Sequence, residues 1–194
     1  MKMETTYVKK LALLAIFSAL GVAISPFTWF VAFGTKAYPA QHMINAILGV
    51  LLGPLWTTIA AIFIGIIRNI LGTGTVYAFP GGIFGGLVVG LVYWVFKRLK
   101  LSEKIRLAAA LCEPIGTLLI GAPLAIFLVA PWMGPQGYSA TLLDLTAIEG
   151  PLFGYLIFVT WWALSCVPGT VLGFTVLVVL KRIGISRETL FGEK

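Results

Sequence analysis

Ten consecutive residues, Lys36-Ala37-Tyr38-Pro39-Ala40-Gln41-His42-Met43-Ile44-Asn45, hold an ammonium, a phenol, two carboxamides and an imidazole. His42 is the one histidine of a chain that is 59% hydrophobic. A helix opening at Pro39 sets Gln41 and Asn45 four apart and His42 three before Asn45. The three side chains then share one side of the helix within about one turn. Arg68-Asn69 adds a guanidinium and a carboxamide, and Glu113 adds a carboxylate inside an apolar run. Polar groups at membrane depth are unfavourable unless they face protein, water or a ligand. Glu113 has three candidate partners: a ligand donor, His42 or Arg68. Catalysis is thinly equipped here, with one histidine and one carboxylate deep in an apolar segment. Gly-x-Ser-x-Gly, His-Glu-x-x-His and an intramembrane aspartate pair are all missing from the sequence. A binding site needs only aromatics and a few placed donors and acceptors, which this chain has.

The surroundings of these residues are those of a membrane protein. The chain has 194 residues, 11% of them charged, and a mean hydropathy of +1.01. Several apolar runs reach the ~20 residues needed to cross a hydrocarbon core. They do not alternate in polarity as barrel strands do. The expected fold class is all-α: a polytopic membrane protein forming a single integral membrane domain over residues 1–194. The first apolar stretch has no small-x-small site followed by a polar chain, so it reads as a retained helix and not a signal peptide. Cys112 and Cys166 lie in apolar segments as small hydrophobes, with no disulfide or zinc spacing. Nothing in the sequence indicates a cofactor or a metal.

The positioning elements follow from the breakers. A first helix over residues 7–25 ends at Pro26, and a loop containing Trp29, Phe30 and Phe33 leads to Pro39. A second helix (40–52) breaks at Gly53-Pro54, and a third covers 55–71. The turn Gly72-Thr73-Gly74-Thr75 precedes a fourth helix from Pro80 to about 98, and a fifth covers 103–129. The last segment, 142–183, is too long for one plain crossing; Gly150-Pro151 marks a break and Pro168-Gly169 a kink. Twelve of the fourteen basic residues fall on the termini and on the loop between the fourth and fifth helices, leaving Lys36 and Arg68 opposite. The positive-inside rule then predicts six transmembrane helices with both termini cytoplasmic and a long last helix kinked near Pro168. The net charge of +7 thus reflects topology and anionic lipid, with no nucleic acid as partner.

This orientation gathers Trp29, Lys36, Tyr38, Gln41, His42, Asn45, Arg68, Asn69 and Trp132 at the outer face, with Tyr138 beside them. An interfacial aromatic belt accounts equally well for Trp29, Trp132 and Tyr138. Arg68 fits either a ligand anion or carbonyl, or snorkelling to headgroups. Glu113 fits a ligand contact or a structural one near Pro114. Trp161 and Trp162 point ~100° apart on a helix, so at most one is expected to face a pocket. Asp144 and Glu149 read as solvated. The glycines at 72 and 74 lack a following Gly-Lys-Ser/Thr, which excludes a phosphate loop. Gly81, Gly82, Gly85, Gly86 and Gly90 read as close helix packing. Ala15 and Ala19 frame a small-xxx-small motif, either for internal packing or for a partner helix.

Residues Pro39-Ala40-Gln41-His42-Met43-Ile44-Asn45, Leu52-Gly53-Pro54, Arg68-Asn69-Ile70-Leu71-Gly72-Thr73-Gly74-Thr75 and Ala78-Phe79-Pro80-Gly81 resemble the ThiW family. Glu113-Pro114-Ile115-Gly116-Thr117 and Pro168-Gly169-Thr170 extend the similarity; the segment 131–161 is bulkier than in that family. The resemblance implies a substrate-binding S component of an energy-coupling factor (ECF) transporter in a prokaryotic cell membrane. Its implied small-molecule substrate is the thiamine precursor hydroxyethylthiazole, captured at the outer face. The implied partners are an ECF transmembrane coupling subunit and two ATPase subunits. Ala15 and Ala19 would be the docking face for the coupling subunit, and the loop 26–38 the gate. Trp29, Tyr38 or Trp132 would stack on the thiazole; Gln41, His42, Asn45 or Asn69 would bond its nitrogen and hydroxyl. A cationic vitamin such as thiamine would instead draw on Glu113. A small intramembrane enzyme using His42 and Glu113, and a ligand-free assembly subunit, are the competing classes.

Overall fold

The computed structural model describes residues 2–32 and 35–192, and nearly all of them are helical. The elements are α1 (Lys2–Thr28), a hairpin of β1 (Phe30–Ala32) and β2 (Thr35–Ala37), α2 (Pro39–Leu52), α3 (Pro54–Ile70) and α4 (Ala78–Arg98). Then follow α5 (Glu103–Met133), α6 (Tyr138–Glu149), α7 (Pro151–Arg182) and α8 (Arg187–Phe191).

Four of these helices, α1, α4, α5 and α7, are long and apolar enough to cross a membrane; α2 and α3 are apolar but shorter. Large apolar side chains such as Phe127, Leu128, Leu152, Phe153, Val171 and Leu172 are exposed along α5 and α7. Apolar surface on that scale is stable against lipid and not against water. The chain is a polytopic helical membrane protein.

The core is organised around α2. All its residues but Met43 are buried, and it packs against α4, α7, α1 and α3. Shielded from lipid by protein, it can carry Gln41, His42 and Asn45 at membrane depth. Its end is abrupt: Gly53 adopts φ 89°, open to glycine and not to other residues, and Pro54 starts α3 at its first turn. One apolar cluster joins Ile44, Leu48, Ile64, Val89 and Leu177; a second joins Tyr77, Ile126, Leu142 and Phe158 beneath α6.

Several boundaries differ from the sequence reading. α1 does not stop at Pro26 but carries it as far as Thr28. A proline removes one donor and crowds the carbonyl four residues back, and here only two helical residues follow it. The segment before Tyr38 is not simply a loop: β1 and β2 pair antiparallel, with Phe30 opposite Ala37 and Val31 opposite Lys36. Phe33 and the side chain of Lys36 lie outside the described residues. α5 runs beyond 129 to Met133, and through tight and wide turns: a 3-10 stretch at Ala108–Cys112, then π-turns at Ile115–Gly121 and Ala125–Val129. Pro114, Pro123 and Pro131 lie in this helix, and widened turns accommodate their missing donors. Gly150, at φ 80°, divides the last segment into α6 and α7, and α7 holds Pro168 in its interior.

The basic ends of the helices converge at the end of the bundle where α8 lies. Arg106 pairs with Glu188 at 2.9 Å, Lys181 with Glu103 at 2.8 Å, and Lys9 donates to the Leu190 carbonyl at 3.0 Å. Arg98 stacks on Trp94 at 3.6 Å.

Candidate functional site

The polar site is assembled at the start of α2, away from that basic end. Glu113, wholly buried on α5, is its centre. His42 Nδ1 lies 2.8 Å from Glu113 Oε1, and Asn45 Nδ2 donates to the same oxygen at 3.1 Å. The Thr117 hydroxyl is 2.9 Å from Oε1 and 3.1 Å from the Gly81 carbonyl; its one proton serves either. Thr170 of α7 donates to Oε2 at 3.3 Å. Four helices therefore meet at one carboxyl group. Their approach needs glycine: a Cβ on Gly85 of α4 would strike Glu113 and Thr117, and one on Gly169 of α7 would lie 2.9 Å from the His42 Cβ.

This network sets the polarity of what lies above it. A carboxylate only accepts. Asn45 must then turn its amino group to Glu113, which leaves its oxygen to accept from Gln41 Nε2 at 3.2 Å. Gln41 Oε1 is left buried and without a partner among the described residues. By the same logic His42 holds its proton on Nδ1, so a neutral ring has Nε2 as an acceptor.

Above these residues opens a cavity of about 390 Å³. Gln41 and His42 line it, as do Tyr38, Tyr77, Tyr138, Trp161 and Trp162. Arg68 lines it from α3, only 1% exposed, with its guanidinium 4.1 Å from the centre of the Tyr38 ring. Its Nη2 donates to the Thr73 carbonyl at 3.2 Å, its side chain also hydrogen-bonds Tyr38, and its Nε has no partner among the described residues. Ser165 of α7 accepts from the Tyr38 amide at 2.8 Å, tying the entry of α2 to α7. Tyr77 and Ser139 share a 2.6 Å hydrogen bond that joins the start of α4 to α6. Burial raises the Tyr77 phenol above its ordinary range, and the Ser139 bond works against that rise. The aromatics form a flat-sided space with a few polar atoms, the usual composition of a small-ligand site.

Of the residues singled out in the sequence, Tyr38, Gln41, His42 and Arg68 line the cavity. Asn45 and Glu113 stand behind it, bonded to each other and to its lining. Three others are elsewhere. Trp29 is 41% exposed and Trp132 78% exposed, and neither lines the cavity. Asn69 turns back to the carbonyls of Gly65 and Thr75 at 2.8 and 3.1 Å. Glu113 pairs with His42 and not with Arg68. Arg68 is buried and does not snorkel.

Trp161 and Trp162 both line the cavity, against the expectation of at most one. An indole is long enough to reach a space that faces the helix between the two directions. Sequence reasoning missed Tyr77, Ser165, Thr117 and Thr170. Two of these had a signal: Thr117 is one turn after Glu113, and Ser165 is three after Trp162 and four after Trp161. Among the described residues no three His, Cys, Asp or Glu side chains converge as a metal site.

Comparison with curated proteins and with solved structures gives no match. Residues 11–183 match the family model described as thiamine-precursor transporter protein (ThiW). That match takes in every element that builds the cavity, and the chain belongs to the ThiW family of thiamine-precursor transporters.

Proposed function

We propose that this protein is the substrate-capturing S component of an ECF-type uptake transporter and that it holds hydroxyethylthiazole in the cavity above His42. The carrying observation is the pairing of an aromatic box with polar atoms that the described residues leave unsatisfied. Gln41 Oε1 is a buried acceptor without a donor, and Arg68 Nε is a buried donor without an acceptor. A hydroxyethylthiazole supplies one of each: a hydroxyl to donate and a ring nitrogen to accept. Tyr38, Trp161 or Trp162 would stack on its flat ring. Reading a hydroxyl with a buried partner gives a small site strong selectivity, because the analogue lacking it strands that partner.

In this reading six helices cross the membrane with both termini cytoplasmic. The convergence of Arg106, Lys181, Lys9 and Arg98 at the end opposite the cavity supports that orientation. α2 has 14 residues and α3 has 17, or about 21 and 26 Å at ~1.5 Å per residue. Surrounded by protein, α2 need not match the full lipid thickness. The hairpin and its flanks, residues 26–38, gate the site. Ala15 and Ala19, exposed on α1, dock the membrane coupling subunit, and two ATPase subunits drive reorientation. Thiamine is the weaker candidate, because the charged group lining the cavity is the cationic Arg68, while Glu113 is occupied behind His42.

The test is calorimetry on the purified protein with hydroxyethylthiazole, thiamine and the pyrimidine precursor. Saturable binding of the thiazole alone is expected. Thiamine bound more tightly, or no binding to any of the three, overturns the reading.

A further inference from the structure

Arg68 carries more hydrogen-bonding capacity than a neutral ring can use. A guanidinium has five N–H groups in one plane and remains charged. Among the described residues the Thr73 carbonyl and the Tyr38 hydroxyl are its hydrogen-bonding partners, and the buried Nε has none. Tyr38 also attracts the charge through its ring, but a neutral phenol does not balance a guanidinium. Among the described residues no carboxylate pairs with Arg68: Glu113 is held by His42, Asn45, Thr117 and Thr170. The ion pairs of Glu103 and Glu188 are with Lys181 and Arg106. A buried charge left unpaired is unfavourable.

The guanidinium is also pinned in place before any ligand arrives. The Arg68 carbonyl accepts from the amides of Thr73 and Gly74, both at 2.9 Å, while Nη2 returns to Thr73. The turn after α3 thus holds the backbone and the side chain of one residue, and Gly72, Gly74 and Thr75 line the cavity beside it. A guanidinium held in place, lining the cavity and without a carboxylate partner among the described residues, is suited to pair with an anion.

We infer that the cavity takes an aromatic heterocycle bearing an anionic substituent, a carboxylate or a phosphate monoester, with Arg68 as the residue that selects it. The inference rests on the reading of the cavity as a heterocycle site and names the form of the substrate.

The test compares three probes on the purified full chain by calorimetry. They are hydroxyethylthiazole, its phosphate monoester, and the same ring with the arm oxidised to a carboxylate. At least one anionic probe should bind about tenfold or more tighter than the alcohol. Arg68→Met should erase that preference, and Arg68→Lys, which keeps the charge without the fork, should retain part of it. The wild-type comparison stands if either variant fails to fold. The better anion identifies phosphate or carboxylate as the source. An alcohol within roughly threefold of both anions, or tighter, overturns the inference and leaves the thiazole reading intact. Anions that bind where the alcohol does not uphold the inference and remove the neutral substrate. No binding of any probe to protein with a normal unfolding transition overturns both.

Discussion

His42 and Glu113, 71 positions apart in sequence, share a 2.8 Å contact between Nδ1 and Oε1 beneath the cavity. That contact decides which ring nitrogen of His42 carries the proton, and so which face of the ring a ligand reads. In the proposed site Glu113 would act on the ligand through His42 and, by way of Asn45, through Gln41. That would make it a positioning residue.

Removing either partner should weaken ligand binding. His42→Ala and Glu113→Gln are each expected to lose about 10- to 100-fold in affinity, the usual worth of a hydrogen bond to a charged group. Because they act on one interaction, the double variant should lose much less than the product of the two. Calorimetry on the single and double variants checks this; multiplicative losses would separate the two residues.

Gly85→Ala places a methyl group against the Glu113 carboxyl and Thr117. Helix α4 must then shift from α5, at roughly 1–3 kcal/mol, and the carboxyl must move with it. Both a lower unfolding temperature in detergent and loss of binding are expected. An unchanged unfolding curve with full affinity would mean that the helices are less closely apposed.

The tryptophans report the site optically. Trp161 and Trp162 line the cavity, whereas Trp132 is 78% exposed and lines no part of it. Ligand-induced quenching should fall sharply in the Trp161→Phe, Trp162→Phe double variant and persist in Trp132→Phe. Fluorescence titration distinguishes them, and quenching carried by Trp132 would move the site to the α5–α6 turn.

Ala15 and Ala19 are exposed on α1 and contribute nothing to the cavity lining. Enlarging either to leucine should leave ligand affinity unchanged and abolish ATP-dependent uptake in cells, because close helix approach needs small residues. Uptake at the wild-type rate in Ala15→Leu and Ala19→Leu would remove this face as the docking site.

Much of the scaffold was legible in the sequence because its signals are local. Apolar runs and breakers such as Gly53-Pro54 and Gly150-Pro151 depend only on neighbours along the chain. The same locality explains the recognition of Gln41, His42 and Asn45 as one cluster, since helical spacing alone puts them together. It also explains the errors: whether a helix ends at Pro26, or the fifth one at 129, depends on what packs around the lost hydrogen bond.

The sequence by itself determined that this is a helical membrane protein with a compact polar motif at the start of α2. Only the tertiary structure decided the partners. Glu113 meets His42 because Gly85 and Gly169 allow α4 and α7 to close on α2 and α5. Arg68 and both indoles share one cavity with Gln41 because α3 and α7 flank the same end of α2. Trp29, Asn69 and Trp132 had side chains of the right chemistry, yet helix rotation and loop course carried them away from it. Residue type and period fix which side chains share a face; only the packing of the faces decides which of them meet.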